Sequence, residues 1–297
     1  MSNTESGRSD KRFTEVADSS SYMATDLART YGFTRSEEAA AMDQDMVDEQ
    51  HAQLMRDGYI ILEDVVPEQT LDALRAAADP WLNKMGRNSF EGERTQRIYA
   101  LPEKIRAADP FIEHPLILAH LDRLLKPNYL LSQAQVINIM TDSPAQPLHM
   151  DDGFYPWPRP RPALSAATVF AIDDFTEDNG ATVAISGSHL WGEDRVPQPE
   201  DERVKAVMKA GSCILFVGNL WHGGGENRSG ADRLALTAQY CEPWARTQEN
   251  YFLAVSPETV ASVSENIRRM LGYSIHPPFI GMVNGMHPKR TLPGFDD

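Results

Sequence analysis

Gly211-Ser212-Cys213-Ile214-Leu215-Phe216-Val217-Gly218-Asn219-Leu220-Trp221-His222-Gly223-Gly224-Gly225 is the run from which the fold class follows. Its five apolar residues, 213–217, lie between Ser and Gly breakers and read as a short buried strand. The same pattern recurs at 129–140, 166–175, 181–185 and 233–241. Each is short, rich in β-branched or aromatic residues, and bounded by Gly, Pro, Asn or Asp. Asp178-Asn179-Gly180 separates two of these segments and is a strong hairpin-turn signal. Such a series predicts an antiparallel sandwich or barrel over about 129–241.

Outward from this core the period changes from two to about 3.6. Met46, Val47, Leu54 and Met55 share one side of a helix that runs to Arg56, and Gly58 ends it before the strand Tyr59-Ile60-Ile61-Leu62. Pro67 opens another helix, with Leu71, Leu74, Ala78 and Trp81 at three- and four-residue steps, and a third is expected over 115–125. Beyond Pro243 the spacing predicts one helix over 257–271. Ser256 is its N-cap, Val260, Val263, Ile267 and Met270 form its stripe, and Gly272 stands at its end. The apolar segment Pro277-Pro278-Phe279-Ile280-Gly281 that follows needs cover, expected from the barrel of its own chain or else from a dimer contact. The class is therefore α+β: a double-sheet jelly roll with flanking helices. Residues 1–44, rich in Ser, Thr, Asp and Glu, are expected to be a mobile extension, and residues 45–297 a single domain.

Composition narrows the function. The chain has 297 residues, 41% of them hydrophobic and 24% charged, and a net charge of −15. That field repels phosphate backbones and anionic lipid, so neither nucleic acid nor a membrane is an expected partner. No apolar run approaches the ~18 residues of a membrane span, and two cysteines make no disulfide framework. A cytoplasmic protein acting on a small molecule, as monomer or homodimer, is the expectation.

The chemistry concentrates in Gln146-Pro147-Leu148-His149-Met150-Asp151-Asp152. In a strand, residues i and i+2 share a face, so His149 and Asp151 can converge while Asp152 points away. An imidazole and a carboxylate so placed are two members of a 2-His-1-carboxylate triad. His222, just past the strand 213–217, supplies the third. Three ligands on one side of a metal leave positions open for a chelating co-substrate and dioxygen on Fe(II), or for water on zinc. Arg233, at the start of strand 233–241, can hold a carboxylate through two hydrogen bonds, as the distal end of 2-oxoglutarate requires. Arg228 competes for that role from a Gly-rich loop.

These stretches, with Asn179-Gly180-Ala181-Thr182 and Ser186-Gly187-Ser188-His189, resemble the phytanoyl-CoA dioxygenase family of Fe(II)- and 2-oxoglutarate-dependent oxygenases. The resemblance covers most of 45–290 and is nearest to members that modify natural products. It departs at Ser186, where the family often has Pro. It implies a double-stranded β-helix, with Fe(II), 2-oxoglutarate and O2 as cofactor and co-substrates, and succinate and CO2 as coproducts. It also implies that Gln146 and Thr182, with Asn138 behind them, contact the co-substrate, and that Arg97 reaches the mouth of the site. Related halogenases carry a small residue where this chain has Asp151, so hydroxylation or another oxidation of an unactivated C–H bond is the implied outcome.

Phe154, Tyr155 and Trp157 follow the metal motif in a Pro-rich loop and are expected either to wall the site over an apolar small molecule or to pack the barrel lip. Two other classes fit the same ligands. A zinc hydrolase would need a carboxylate base near the metal and no Arg233. A non-catalytic jelly-roll binding protein would tolerate loss of Asp151.

Overall fold

The computed structural model describes residues 36–295. Their helices and strands, in chain order, are α1 (Glu37–Ala40), α2 (Gln44–Asp57), β1 (Tyr59–Leu62), α3 (Glu68–Ala78), β2 (Thr95–Ile98), α4 (Pro115–Leu124), β3 (Leu130–Ile139), β4 (Ser165–Ala171), β5 (Thr182–Ala184), β6 (Val204–Lys205), β7 (Cys213–Val217), β8 (His222–Gly224), β9 (Arg233–Cys241), α5 (Pro257–Ser262) and α6 (Glu265–Met270), joined by short helical turns. Every expected strand is present. Three were not expected: β2, β6 and β8 are two to four residues long, too short for an apolar period to mark them.

The strands form two antiparallel sheets, one of six in the order β1-β7-β4-β9-β3-β2 and one of three in the order β6-β5-β8. They face each other as a jelly roll. Strand parity divides the large sheet into two sides. Along β9, Leu234, Leu236, Ala238 and Tyr240 point to the helices, and the Tyr240 hydroxyl donates to the Ile112 carbonyl at 2.6 Å. Arg233, Ala235, Thr237 and Gln239 point the other way, into the space between the sheets. Opposite them on β3 stand Ile139, Ile137, Gln135 and Gln133, in that order.

Gly58 shows how local sequence fixes the entry to the sheet. It caps α2 at φ +84°, and a Cβ there would come within 2.5 Å of the His189 ring. The position needs glycine for both reasons. His189, His114 and His120 are packing residues. His120 is fully buried, and burial pushes it down to about 4, so it packs as a neutral ring.

Two boundaries differ from expectation. Order among the described residues begins before Asp45: Ser36 caps α1 by accepting from the Ala39 amide, and Ala39 is buried against α4. Small alanines on one turn suffice for that contact and leave no long apolar stripe to read. The rest of the expected extension, residues 1–35, lies outside the described residues. The expected helix 257–271 is two helices, because Ser264 takes extended dihedrals and caps α6 by accepting from Ile267 N–H at 3.1 Å. Arg268 takes up the carbonyls this break frees, donating to Val260 at 3.1 Å and Val263 at 2.6 Å. The stripe is nonetheless buried on its own chain, and Arg269 donates to the Tyr129 hydroxyl at 3.0 Å. Phe279 and Ile280 are not covered by their own chain. Truncation after Pro243 should therefore uncover the β3 flank and give insoluble protein, checked by the soluble fraction on expression. Among the described residues no helix is long and apolar enough to cross a membrane.

Candidate active site

His149, Asp151 and His222 meet between the sheets, with ligand atoms that all lie within 4.8 Å of one another. His222 begins β8, and a pair of backbone hydrogen bonds ties it to His149: His149 N–H to the His222 carbonyl at 2.8 Å and the reverse at 3.0 Å. The two rings are thus set side by side, with centroids 4.5 Å apart. Asp151 arrives differently from the strand argument. Pairing stops at His149, and Asp151 is the first residue of a turn, yet its Oδ1 comes within 3.5 Å of His149 Nε2 and 3.6 Å of His222 Nε2.

Backbone carbonyls fix the tautomers. Nδ1 of His149 lies 3.0 Å from the Pro147 carbonyl, and Nδ1 of His222 lies 3.0 Å from the Leu220 carbonyl. A carbonyl only accepts, so each Nδ1 carries a proton, and Nε2, which faces the carboxylate, is the nitrogen each ring would offer a metal. Burial opposes a charge on Asp151, yet the two imidazoles and Gln239 hold its carboxyl below the usual range. With Nε2 deprotonated on metal binding, two imidazoles and one carboxylate suit a divalent ion of intermediate hardness, such as Fe(II) or Zn(II). The donor set therefore fits the metal that the sequence implies.

Asp152 turns away, fully buried, and pairs bidentately with Arg161 at 2.8 and 2.9 Å. The second carboxylate is thus occupied in holding the Pro-rich loop to the flank of the sandwich. That anchor also explains why the expected aromatic wall is absent. Trp157 packs edge-on to Trp244 with centroids 5.0 Å apart, the Tyr155 hydroxyl donates to the Arg246 carbonyl at 3.1 Å, and Phe154 stays 57% exposed on Tyr155; Phe154, Tyr155 and Trp157 line no part of the cavity at the triad. Phe90 stands there instead, with its ring edge-on to His149 at 4.9 Å. It comes from an irregular segment before β2, and no periodic signal marked it.

The cavity at the triad holds about 330 Å³. Arg233 borders it and is 3% exposed; its guanidinium lies 4.0 Å from the Phe175 ring centroid and donates to the carbonyls of Asn179, at 3.4 Å, and Gly180. Gly180 reaches this position at φ +83°, which the Asn-Gly turn permits. Arg233 makes no contact ion pair among the described residues; burial pushes it down to about 9, and the charge of Asp173 offsets this only in part. Arg228, by contrast, is exposed and paired with Glu226 at 2.5 Å.

Gln146, Thr182 and Arg97 also line the cavity. Gln146 accepts from the Gly224 amide at 3.2 Å and donates to the Phe90 carbonyl at 3.1 Å. Arg97 donates to Gln135 at 3.0 Å and to the Glu91 carbonyl at 2.9 Å, while its Nε is buried without a partner. Asn138 does not reach the cavity. It lies on the opposite face of β3 from Ile137 and Ile139, and its amide donates to Gln96 at 2.8 Å and Asp232 at 3.1 Å. Gln133, Gln135 and Gln239 were not anticipated. Their parity with Arg233 and its partner Ile139 was a usable signal for all three.

Comparison with known proteins follows this geometry. The family model described as phytanoyl-CoA dioxygenase matches residues 54–235. Dioxygenase trt7 of Aspergillus terreus is 30% identical over 254 residues, covering 80% of this chain and 77% of that one. Dioxygenase olcK of Penicillium canescens is 32% identical over 202 residues, covering 62% and 67%. Among solved structures, the non-heme alpha ketoglutarate dependent carbocyclase SnoK of nogalamycin biosynthesis superposes with a TM-score of 0.59 at 17% identity, over 73% of this chain and 92% of that one. The epimerase SnoN, in complex with Fe3+, alpha ketoglutarate and nogalamycin RO, gives 0.58 at 20% identity, over 71% and 90%. At these identities the structural likeness is one of fold, a jelly-roll core with flanking helices.

Proposed function

The chain belongs to the phytanoyl-CoA dioxygenase family of non-haem Fe(II)- and 2-oxoglutarate-dependent oxygenases, and on that premise we propose that it hydroxylates an unactivated C–H bond of an oxygen-bearing small molecule. The observation that carries this reading is the pairing of the His149–Asp151–His222 cluster with a buried Arg233 that makes no contact ion pair, on one cavity. Fe(II) with 2-oxoglutarate and O2 supplies the oxidising power, with succinate and CO2 as coproducts. The chain's own residues bind and orient. His149, Asp151 and His222 hold the ion; Arg233 neutralises the distal carboxylate of 2-oxoglutarate; Gln146 and Thr182 contact its other end. The assignment treats residues 45–297 as one oxygenase domain.

The substrate class follows from the rest of the lining. Gln133, Gln135, Gln239 and Gln248 border the cavity on the side toward Gln239, away from Arg233 along β9, and Arg97, set opposite Ile137, reaches Gln135 from the β2 side. A hydrocarbon placed there would strip water from these groups without replacing the hydrogen bonds, at about 1–3 kcal/mol for each group left unpaired. A molecule with carbonyl, hydroxyl or carboxyl oxygens fits instead, and Arg97 Nε is a buried donor ready for one. The zinc-hydrolase alternative lacks its base. Apart from Asp151, the carboxylate on this cavity is Glu91, which Arg87 and the Tyr99 hydroxyl engage.

Protein loaded with Fe(II) under air should convert 2-oxoglutarate to succinate. A panel of oxygenated small molecules should contain compounds that accelerate this and gain one oxygen atom by mass spectrometry. No succinate with Fe(II), together with hydrolysis by the zinc-loaded protein, would sink the reading.

A further inference from the structure

We propose that Gln239 is a positioning residue for the metal centre: its amide holds one oxygen of Asp151 so that only the other is offered to the ion, and Gln248 fixes the sense of that amide. The inference rests on the reading that His149, Asp151 and His222 hold the metal.

The two oxygens of Asp151 have different surroundings. Oδ1 faces both imidazoles, whereas Oδ2 accepts from Gln239 Nε2 at 2.9 Å. An ionised carboxylate only accepts, so the nitrogen of the Gln239 amide must face it and the oxygen must face outward. That oxygen receives the Gln248 side-chain N–H. A flipped Gln239 amide would set an oxygen against the carboxylate and a nitrogen against the Gln248 nitrogen, losing both bonds. The two glutamines therefore hold each other in the orientation that Asp151 needs.

Their mountings are firm. Gln239 sits in β9 between two neighbouring strands, opposite Gln133 on β3 and Ala167 on β4, so its backbone is fixed from both sides. Gln248 follows β9 in a segment tied to β3, with its own N–H on Ser132 Oγ at 3.1 Å and the next residue's N–H on the Ser132 carbonyl at 2.8 Å. With Gln239 in place, Asp151 is a one-oxygen ligand and leaves coordination positions for the co-substrate. Without it, Oδ2 is free to swing onto the ion and occupy one of them. Outer partners of this kind orient ligands and tune affinity.

Co(II), whose visible d–d absorption reports coordination number, is the probe. It is titrated into the metal-free wild type, Asp151→Ala, Gln239→Met and Gln248→Met, with thermal unfolding of each metal-free protein in parallel. Methionine keeps the length of the side chain and removes the donor. Gln239→Met should bind Co(II) on the order of 10- to 100-fold more weakly, with a changed d–d spectrum, while the metal-free protein still unfolds in one cooperative transition. Gln248→Met should shift affinity the same way by a smaller factor. Wild-type affinity and spectrum in Gln239→Met would overturn the proposal; if that variant does not fold, the same result in Gln248→Met would do so. Failure of the ligand reading looks different: Asp151→Ala would then bind Co(II) as tightly as wild type.

Discussion

Asp151→Ala should lose Fe(II) binding and turnover, while its neighbour Asp152→Ala should keep the metal and lose stability. The two carboxylates are adjacent in sequence and opposite in role. Asp151 faces both imidazole Nε2 atoms, so its removal deletes the anionic ligand of the centre. Partners outside the coordination sphere are already worth 10- to 100-fold in affinity, so losing a ligand should cost more than about 100-fold. The metal-free protein should melt near the wild-type temperature. Asp152 instead neutralises Arg161, and both side chains are buried. Its removal leaves a buried guanidinium without a counter-ion, which costs on the order of 3–5 kcal/mol, a large share of a domain's ~5–15 kcal/mol. Thermal unfolding of the metal-free proteins and iron titration separate the outcomes. Iron retained by Asp151→Ala and lost by Asp152→Ala would reverse the assignment.

Arg233→Ala should raise KM for 2-oxoglutarate by roughly 30-fold or more. Truncating one partner of a buried, hydrogen-bonded charge pair costs about 2–5 kcal/mol, because the other charge is left in a dry site, and each 1.4 kcal/mol is about tenfold. The 3% exposure of Arg233 is what places it in that regime. Arg228→Ala is the control: its side chain is 72% exposed and paired with Glu226, where an ion pair contributes ~0–1 kcal/mol, so KM should stay within about twofold. Steady-state succinate formation at varied 2-oxoglutarate measures both. Equal effects of the two substitutions would count against the pocket.

Much of the site was legible because its logic is local. His149 and Asp151 are two residues apart, and a span of two brings side chains together in an extended strand and, as it turns out, in the turn that is present here. Arg233 opens a strand whose alternation makes it face inward, and the same alternation, read further, picks out Gln239 and excludes Asn138. The missed residues share a cause of another kind. Phe90 reaches the metal cluster from a segment with no period, and the 257–271 helix was read as continuous because its apolar stripe persists across a break that a single serine cap creates.

The sequence by itself determined the class of the longer strands, the convergence of His149, Asp151 and His222, and the inward burial of Arg233, since these follow from spacing, alternation and breaker residues within a few positions. Tertiary structure decided what shares the cavity. Pairing of β2 with β3 sets Arg97 opposite Ile137, and pairing of β9 with β3 sets Gln239 opposite Gln133, although no local pattern relates those positions. It also decided that the aromatic loop after Asp151 lies on the flank, because the buried Asp152–Arg161 pair anchors it there. Strand register and buried charge pairing join residues far apart in the chain, and their energies depend on neighbours that a local period does not specify.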